Sequence, residues 1–221
     1  MDDERRFQEA LRSLRVWDTT LPGFDPADVP DEPVELFRRW FVAAVGGGVV
    51  EPHTMTLGTV DGDGLPDSRV VMLHGADGRG WHFASHSGSA KGRQLADRPV
   101  AALTFYWAAQ GRQVRVRGRV VAGTRAEAYA DLHARTTGAL ASALVGRQSE
   151  PLGSLDELAA ASTAAWERAV AEPDADAPSW TPYLVEPREV EFFQGDERRR
   201  HVRLRYRRHD DGLWERELLW P

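Results

Sequence analysis

The chain has 221 residues, 42% of them hydrophobic, which is enough to fill one core, so we expect one domain. It contains no cysteine, which excludes disulfides, thiolate nucleophiles and cysteine-ligated metals, so any redox chemistry must come from a bound organic cofactor. The net charge of −6 argues against a protein that coats nucleic acid, because duplex binding requires clustered cations. No apolar run is long enough to span a membrane and the N-terminus is highly charged, so we expect a cytoplasmic protein.

The N-terminal part combines a helix with an irregular arm. Residues 3–16 have the spacing of a short amphipathic helix, and the proline-containing segment 17–33 is an arm that needs a surface to lie on. Asp31 is expected to cap a second helix that Pro33 helps to start, and the aromatic stripe of this helix is expected to cover one end of a barrel. We therefore divide the chain into a helix and arm at 1–33 and a single domain at 34–221.

Beyond Thr54 the apolar periodicity changes to two, which indicates strands. This spacing predicts a closed antiparallel barrel. A helical insert at about 124–172 contains capping boxes at Thr124–Glu127 and Ser154–Glu157 and a further helix around 138–147, and a loop follows at 172–182. The predicted strands are 54–60, 68–74, 81–86, 100–107, 112–121, 183–193, 201–207 and 213–219.

Lysine occurs once, at position 91, although lysine and arginine together number 28. Composition alone leaves two interpretations open: the position needs a lysine for its function, or one lysine persists by chance. The run Ser87–Arg93 joins small residues, hydroxyl groups and this cation at the start of a predicted helix, 89–97, where free N–H groups attract anions. It lacks the Gly-x4-Gly-Lys-Ser/Thr spacing of a nucleoside triphosphate site, and a solvated helix cap remains the alternative to a phosphate cradle.

Two further polar residues lie in predicted strands. Arg69 is on the strand face opposite Val70 and Met72, and an arginine in a mostly apolar strand requires a carboxylate or phosphate partner unless it is solvated. Gln113 heads another strand, where its amide could reach the rim of a planar heterocycle.

Two other patterns argue against nucleic acid and metal sites. The basic run 198–208 alternates with apolar residues, so a solvated strand face or a small-anion site is favoured over nucleic acid. His82 and His86 are four residues apart on a predicted strand, a separation of roughly 13 Å, so we expect no metal site there.

In chain order, these segments resemble the pyridoxine/pyridoxamine 5′-phosphate oxidase family from about Asp31 to Pro221. The resemblance implies a mainly β fold with a helical insert, a split β-barrel, and a homodimer with flavin mononucleotide (FMN) at the subunit interface. The phenazine-biosynthesis flavin oxidases, one branch of the family, carry a run similar to His86–Gly92 here, and this chain looks most similar to that branch. The matching runs are Glu-Pro-His-Thr-Met-Thr-Leu-Gly-Thr-Val-Asp, Ser-Arg-Val-Val-Met-Leu-His-Gly, Ser-Ala-Lys-Gly-Arg-Gln-Leu, Phe-Tyr-Trp, Arg-Gln-Val-Arg, Arg-Gln-Ser, Glu-Phe-Phe-Gln-Gly and Arg-Arg-His-Val-Arg-Leu-Arg-Tyr.

The resemblance assigns residues to the flavin. Two positions depart from the family pattern: Ala90 replaces the arginine before the lysine, and Phe193 replaces a tryptophan. We hypothesise that Arg93 supplies the missing cation. The residues at the family's flavin positions are Arg69, Val70, Val71, Met72, Leu73, Ser85, Lys91, Gln113, Gln148, Ser149, Phe193 and Arg203.

The substrate positions depart further from the family. A lysine, a tyrosine and a serine are replaced by His74, Asp131 and Ala139. A carboxylate in place of a hydroxyl donor repels a phosphate dianion, and each lost charged contact is worth about 1.5–3 kcal/mol. Efficient oxidation of a vitamin B6 phosphate is therefore not expected. The residues at the family's substrate positions are His74, Asp131, Arg135, Ala139, Arg199 and His201.

The implied reaction passes a hydride from a reduced ring substrate, with a phenazine-type compound favoured, to FMN and then to O2. Arg199 and His201 alternate with Arg200, so both are expected on one side. The resemblance assigns them to the substrate over the flavin face, as the catalytic residues. Arg135 is expected to bind an acidic group such as a carboxylate. Two alternatives stay open: a true pyridoxine/pyridoxamine 5′-phosphate oxidase, and a split-barrel protein that binds flavin without turnover.

Overall fold

The computed structural model describes residues 2–17 and 20–221, and these residues form six α-helices, nine β-strands and one 3₁₀ turn. The helices are α1 (Asp2–Ser13), α2 (Pro33–Gly46), α3 (Ala90–Asp97), α4 (Arg125–His133), α5 (Thr137–Val145) and α6 (Leu155–Ala171). The strands are β1 (Thr54–Val60), β2 (Pro66–Met72), β3 (Gly75–Asp77), β4 (Gly80–His86), β5 (Val100–Trp107), β6 (Arg112–Ala122), β7 (Trp180–Gln194), β8 (Val202–Arg208) and β9 (Trp214–Leu219).

The strands form one antiparallel sheet in the order β2-β1-β5-β6-β7-β4-β3, from which β8 and β9 extend beside β7. In the described part of the chain, β2 and β3 at the two ends of this order do not pair with each other, so the sheet curls without closing. The closed barrel expected from strand spacing is therefore wrong, and the split barrel implied by the resemblance is confirmed. Spacing identifies the strands, but it does not determine whether the outermost strands meet.

The long strand β7 organises the sheet. β6 lies along one of its edges, while β4 and β8 share the other, with β4 at the start of β7 and β8 at its end. The register of β6 shifts between Arg117 and Gly118, and a Cβ at Gly118 would lie 1.8 Å from the carbonyl oxygen of Glu186. Only glycine permits this close approach, which bends the paired strands.

The core lies between the buried face of the sheet and α2. The Phe37 ring lies 4.9 Å from that of Phe105 and 5.4 Å from that of Trp81, and the Trp40 ring lies 5.2 Å from that of Phe192. Full burial of each such side chain stabilises the fold by about 1.5–3 kcal/mol. The aromatic stripe predicted for α2 is therefore a core-packing face.

The arm before α2 lies against the barrel. The Arg112 guanidinium stacks 4.2 Å above the Trp40 ring and donates to the Gly23 carbonyl oxygen, and the Tyr206 hydroxyl donates to the Pro30 carbonyl oxygen at 2.8 Å. Residues 18 and 19 of the predicted arm lie outside the described residues. No helix within the described ranges is long and apolar enough to cross a membrane.

The helices α4, α5 and α6 lie between β6 and β7 in sequence and form a small core of their own. The predicted capping box at Thr124 is present in full. Ser154 accepts the Glu157 backbone N–H, but the Glu157 carboxylate accepts the N–H of Gly153, so the second capping box is only half formed. The buried residues of this small core are Leu132, Leu140, Ala141, Ala143, Ala169 and Ala177.

Several boundaries differ from the predictions. β7 begins at Trp180, inside the predicted loop, because Trp180 pairs with His86 of β4 even though Pro182 lacks an N–H. β2 begins at Pro66 rather than at position 68, and β3 lies between the predicted strands 68–74 and 81–86. The short strand β3 depends on pairing with β4, which local sequence does not reveal.

The predicted cap at Asp31 is wrong. The N-cap of α2 is Glu32, which makes no capping hydrogen bond through its side chain, and Pro33 lies at the start of the helix as predicted. The Asp31 carboxylate is instead 3.4 Å from the Arg216 guanidinium of β9.

Candidate active site

The first group of predicted site residues surrounds the single lysine, and we call Ser85, Ser89, Lys91, Gln148 and Ser149 the lysine cluster. Lys91 is only 9% exposed, and its Nζ donates to Gln148 Oε1 at 2.7 Å and to Ser89 Oγ at 3.4 Å. Ser85 Oγ donates to the same Gln148 oxygen at 3.3 Å, and the Ala90 backbone N–H donates to Ser149 Oγ. The structure therefore brings together residues that are up to 64 positions apart in sequence.

The lysine cluster is built on the first turn of α3. Ser89 is the N-cap and accepts the backbone N–H of Gly92, so the helix begins where the predicted cradle lies. A Cβ at Gly92 would lie 2.4 Å from the carbonyl oxygens of His86 and Ser87, so only glycine lets the helix pack this closely against the preceding loop. Arg93 is exposed and donates to the Gly88 carbonyl oxygen of that loop.

Arg69 lies near the lysine cluster, and polar side chains hold its guanidinium in place. Its Nη1 donates to Thr59 Oγ1 at 2.5 Å, and its Nη2 donates to Gln94 Oε1 at 3.1 Å and forms an ion pair with Asp67. Burial and then the charge of Arg69 lower the pKa of Lys91 below its usual range. The charge of Asp67 acts in the opposite direction, but among the described residues Lys91 forms no ion pair with a carboxylate, so its ammonium group favours an anion.

The segment after Arg69 alternates in exposure. Val70 and Met72 are exposed, whereas Val71 and Leu73 are partly buried and pack against the core. Arg69 therefore lies on the inward face, opposite Val70 and Met72, as predicted.

The second group contains the predicted substrate residues, and we call His74, Asp131, Arg135 and Trp180 the arginine clamp. Arg135 donates to Asp131 through Nη2 at 2.7 Å and Nε at 3.0 Å, and Trp180 Nε1 donates to Asp131 Oδ2 at 2.8 Å. Arg135 Nη2 also lies 2.6 Å from His74 Nδ1. Ala139 lies in the first turn of the neighbouring helix α5 and offers only a methyl group.

The arginine clamp carries no net charge near neutral pH. Burial and then the charge of Arg135 lower the pKa of His74 to about 4, so the imidazole is neutral and accepts from the guanidinium. Burial raises the pKa of Asp131, but the hydrogen bonds from Arg135 and Trp180 outweigh it and lower the pKa below its usual value. One cation and one anion therefore cancel.

The third group lies at the other end of β7, and we call Trp17, Gln113, Phe193, His201 and Arg203 the His201 cluster. Phe193 pairs with Gln113 of β6 and Arg203 of β8. The His201 ring lies 5.1 Å from Phe193 and 5.2 Å from Trp17. The backbone N–H of Asp196 donates to His201 Nδ1, so the proton of the neutral ring is on Nε2.

Arg199 and His201 do not alternate on a strand, so that part of the prediction is wrong. Both precede β8, which begins at Val202, and Arg199 has a positive φ of 64° in the loop. Ser149 and Trp17 also have positive φ values, of 72° and 56°. Such backbone conformations cost about 1–3 kcal/mol each and concentrate at functional sites.

Sequence reasoning missed several residues that hold the site residues in place. Glu191 is 4% exposed and binds Arg203 Nε at 2.8 Å, and Gln94 holds Arg69. Trp180 was assigned to a loop. The available signal for Glu191 was its spacing of two from Glu189 in β7, between the arginine-rich segments that form β6 and β8. The contact of Trp180 with Asp131 had no such signal.

Comparison with known proteins identifies the family. A family model described as pyridoxamine 5′-phosphate oxidase matches residues 43–169, and one described as the pyridoxine 5′-phosphate oxidase C-terminal dimerisation region matches residues 180–221. The chain belongs to the pyridoxamine 5′-phosphate oxidase family. It is thus an FMN-dependent oxidoreductase, and the dimerisation region supports the predicted homodimer.

Two kinds of relative stand out within the family. Pyridoxine/pyridoxamine 5′-phosphate oxidases from Pseudomonas paraeruginosa and Thermosynechococcus vestitus are each 42% identical, covering 91% and 88% of this chain and 94% and 92% of their own lengths. The crystal structure of PhzG from Burkholderia lata in complex with tetrahydrophenazine-1-carboxylic acid has a TM-score of 0.85 and 31% identity, covering 92% of this chain and all of that one. Relatives of both branches therefore match nearly the whole chain.

The lysine cluster fits FMN, the family's cofactor. The nearly buried Lys91 ammonium group donates to neutral oxygens, and a phosphate would compensate its charge. Arg69 lies close enough to lower the pKa of Lys91, although its Nη2 is paired with Asp67. These residues suit the phosphate end of the mononucleotide.

Proposed function

We propose that the protein oxidises a reduced ring compound that carries a carboxylate, of the phenazine type, with FMN as hydride acceptor and O2 as final oxidant. The Asp131–Arg135 ion pair carries this proposal. The Nε and Nη2 atoms of Arg135 are committed to Asp131 and His74, which leaves Nη1 for a substrate. One donor group suits a single carboxylate oxygen better than a phosphate dianion, which is bound best by paired cations.

The substrate site requires a second protomer in this proposal. Ser85 of the lysine cluster pairs with Thr181, and Gln113 of the His201 cluster pairs with Phe193. The two clusters therefore lie twelve positions apart along β7. Twelve strand residues extend over roughly 40 Å, farther than one mononucleotide reaches. We infer that each flavin is held by the lysine cluster of one protomer and the His201 cluster of its partner.

When bound, FMN supplies the hydride acceptor. Lys91 and Arg69 would hold its phosphate, and the Gln113 amide would bind its ring. Arg135 orients the substrate carboxylate through Nη1. His201 donates through Nε2–H to a substrate heteroatom, because its Nδ1 is already an acceptor.

Aromatic residues exclude water from the reacting ring in the proposed site. Phe193 and Trp17 cover two sides of His201, with ring distances of 5.1 and 5.2 Å. Arg199 is exposed in the adjacent loop, where it can approach an anionic or electron-rich substrate.

Oxygen uptake tests the proposal directly. We expect kcat/KM for 5,10-dihydrophenazine-1-carboxylate to exceed that for pyridoxamine 5′-phosphate, with hydrogen peroxide formed in equal amount to the oxygen consumed. Higher kcat/KM for pyridoxamine 5′-phosphate contradicts the proposal. Arg199→Ala and His201→Ala are expected to lower kcat/KM, and unchanged kinetics of both would remove them from the substrate site.

The second candidate is a true pyridoxine/pyridoxamine 5′-phosphate oxidase. The 42% identity to curated oxidases of this name favours it, since it exceeds the 31% identity to PhzG. In this candidate, other arginines replace the cation that His74 does not supply. Complementation of a bacterial strain that lacks this activity separates the two candidates.

A further inference from the structure

We infer that Trp180 is a positioning residue that holds Asp131 against Arg135 and so fixes the charge of the arginine clamp. Trp180 is the first residue of β7, and its Nε1–H donates to Asp131 Oδ2 at 2.8 Å. Asp131 lies on α4, a different element, so this hydrogen bond ties the helix to the sheet at the clamp. The inference deepens the proposed function, on which its substrate class rests.

The ion pair needs this support because of where its partners lie. Asp131 and Arg135 are four residues apart at the end of α4, and their side chains are 25% and 24% exposed. Pairs of this spacing at helix surfaces are weak when nothing else orients them. Apart from Arg135, the hydrogen-bond donor to the Asp131 carboxylate within the described ranges is Trp180.

The indole is itself held from several sides. Trp180 pairs with His86 of β4, and the two rings meet edge to face at 5.7 Å. His86 Nδ1 lies 2.8 Å from Ser179 Oγ, so the residues before the indole are fixed as well. The Arg135 guanidinium lies 5.5 Å from the indole centroid. Trp180 therefore links β7, which pairs with the strand that carries Ser85 of the lysine cluster, to the Asp131–Arg135 ion pair.

Loss of the N–H donor has a defined consequence. Without it, Asp131 turns away from Arg135 more readily, so the positive charge of Arg135 is less fully cancelled. Ligands with two negative charges gain more from that change than ligands with one. Trp180 thereby helps the site discriminate a carboxylate from a phosphate, although it touches neither.

The test measures binding to the oxidised FMN-loaded protein by the change in its visible absorbance. The probes are pyridoxal 5′-phosphate and phenazine-1-carboxylate, both already oxidised and therefore unreactive. The variants are Trp180→Phe, which keeps the ring and removes the donor, Asp131→Asn, and the double variant. Trp214→Phe on β9, whose ring lies 6.5 Å from that of Tyr206, is the matched control, and Trp180→His restores a ring N–H.

In Trp180→Phe, we expect affinity for pyridoxal 5′-phosphate relative to phenazine-1-carboxylate to rise about tenfold, which corresponds to about 1.4 kcal/mol. Asp131→Asn is expected to raise this ratio at least as much as Trp180→Phe does. The double variant is expected to have the same ratio as Asp131→Asn alone. Trp180→His is expected to raise the ratio less than Trp180→Phe. An unchanged ratio in Trp180→Phe, or an equal effect of that substitution in the Asp131→Asn background, overturns the inference.

Different results would contradict the proposed function and this inference. If the wild-type protein binds pyridoxal 5′-phosphate more tightly than phenazine-1-carboxylate, the proposed substrate class is wrong. The coupling between positions 180 and 131 is still measured by the same four proteins, because it is a ratio of ratios and does not depend on which probe the wild type prefers.

Discussion

Replacement of Lys91 by alanine is expected to weaken FMN binding about 10- to 150-fold. The Lys91 ammonium is nearly buried and donates to neutral oxygens, so a phosphate gains a full charge-assisted contact there. Such a contact is worth about 1.5–3 kcal/mol, and each 1.4 kcal/mol is tenfold in Kd. Titration of the apoprotein with FMN, followed by flavin fluorescence, measures the change.

Two controls make the result specific to the phosphate. Arg98→Ala removes an exposed cation at the C-cap of the same helix, where it donates to the Gly62 carbonyl oxygen, and is expected to leave the Kd within twofold of wild type. Riboflavin lacks the phosphate, so its Kd is expected to be the same in Lys91→Ala and wild type. An equal loss of riboflavin and FMN affinity would refute the reasoning, because Lys91 would then act through the fold.

Four further outcomes are expected. Arg93→Ala should weaken FMN binding several-fold if Arg93 replaces the cation missing at Ala90, and unchanged affinity contradicts that hypothesis. His74→Lys combined with Asp131→Tyr should tighten binding of pyridoxal 5′-phosphate at least tenfold, measured by flavin absorbance. The reason is that the clamp gains one positive charge and loses one negative charge. Gly92→Ala should lower the unfolding free energy by about 1–3 kcal/mol in denaturant titrations, because its Cβ would meet two carbonyl oxygens at 2.4 Å. The pKa of His74 is lowered from 6.5 to about 4, so its contribution to stability is present above pH 6.5 and is lost as pH falls towards 4.

The pH prediction is checked by comparing unfolding free energies across this range with those of His74→Gln. The variant is expected to lose less stability on acidification, since it has no group to protonate there. A parallel decline in the two proteins would assign the acid sensitivity to other residues. For the His74→Lys/Asp131→Tyr double variant, Trp214→Phe again serves as the control substitution outside the arginine clamp.

Local pattern predicted most elements and missed those that depend on partners far away in sequence. The strands at 54–60 and 100–107 have their predicted bounds, because alternation and turn residues are local signals. The three-residue strand β3 and the start of β7 at Trp180 depend on pairing with β4. The alternation argument for Arg199 and His201 failed because both residues precede the strand.

The ordered motifs of the sequence were sufficient to indicate the family, the cofactor and the residues around Lys91. They do so because residue identity alone decides whether a cation, an amide or a methyl group is available at each position. Sequence also showed that His74, Asp131 and Ala139 depart from the residues expected at the family's substrate positions. It did not reveal what Asp131 does.

Only the tertiary structure decided that question. Asp131 takes up two donor groups of Arg135 and is held by Trp180, 49 residues away, so the clamp has no net charge. The structure also separates the lysine cluster from the His201 cluster along β7, which led to the proposal of a site shared by two protomers. Both facts depend on distances between elements, and distances of this kind arise only when the sheet curls and α4 packs against it.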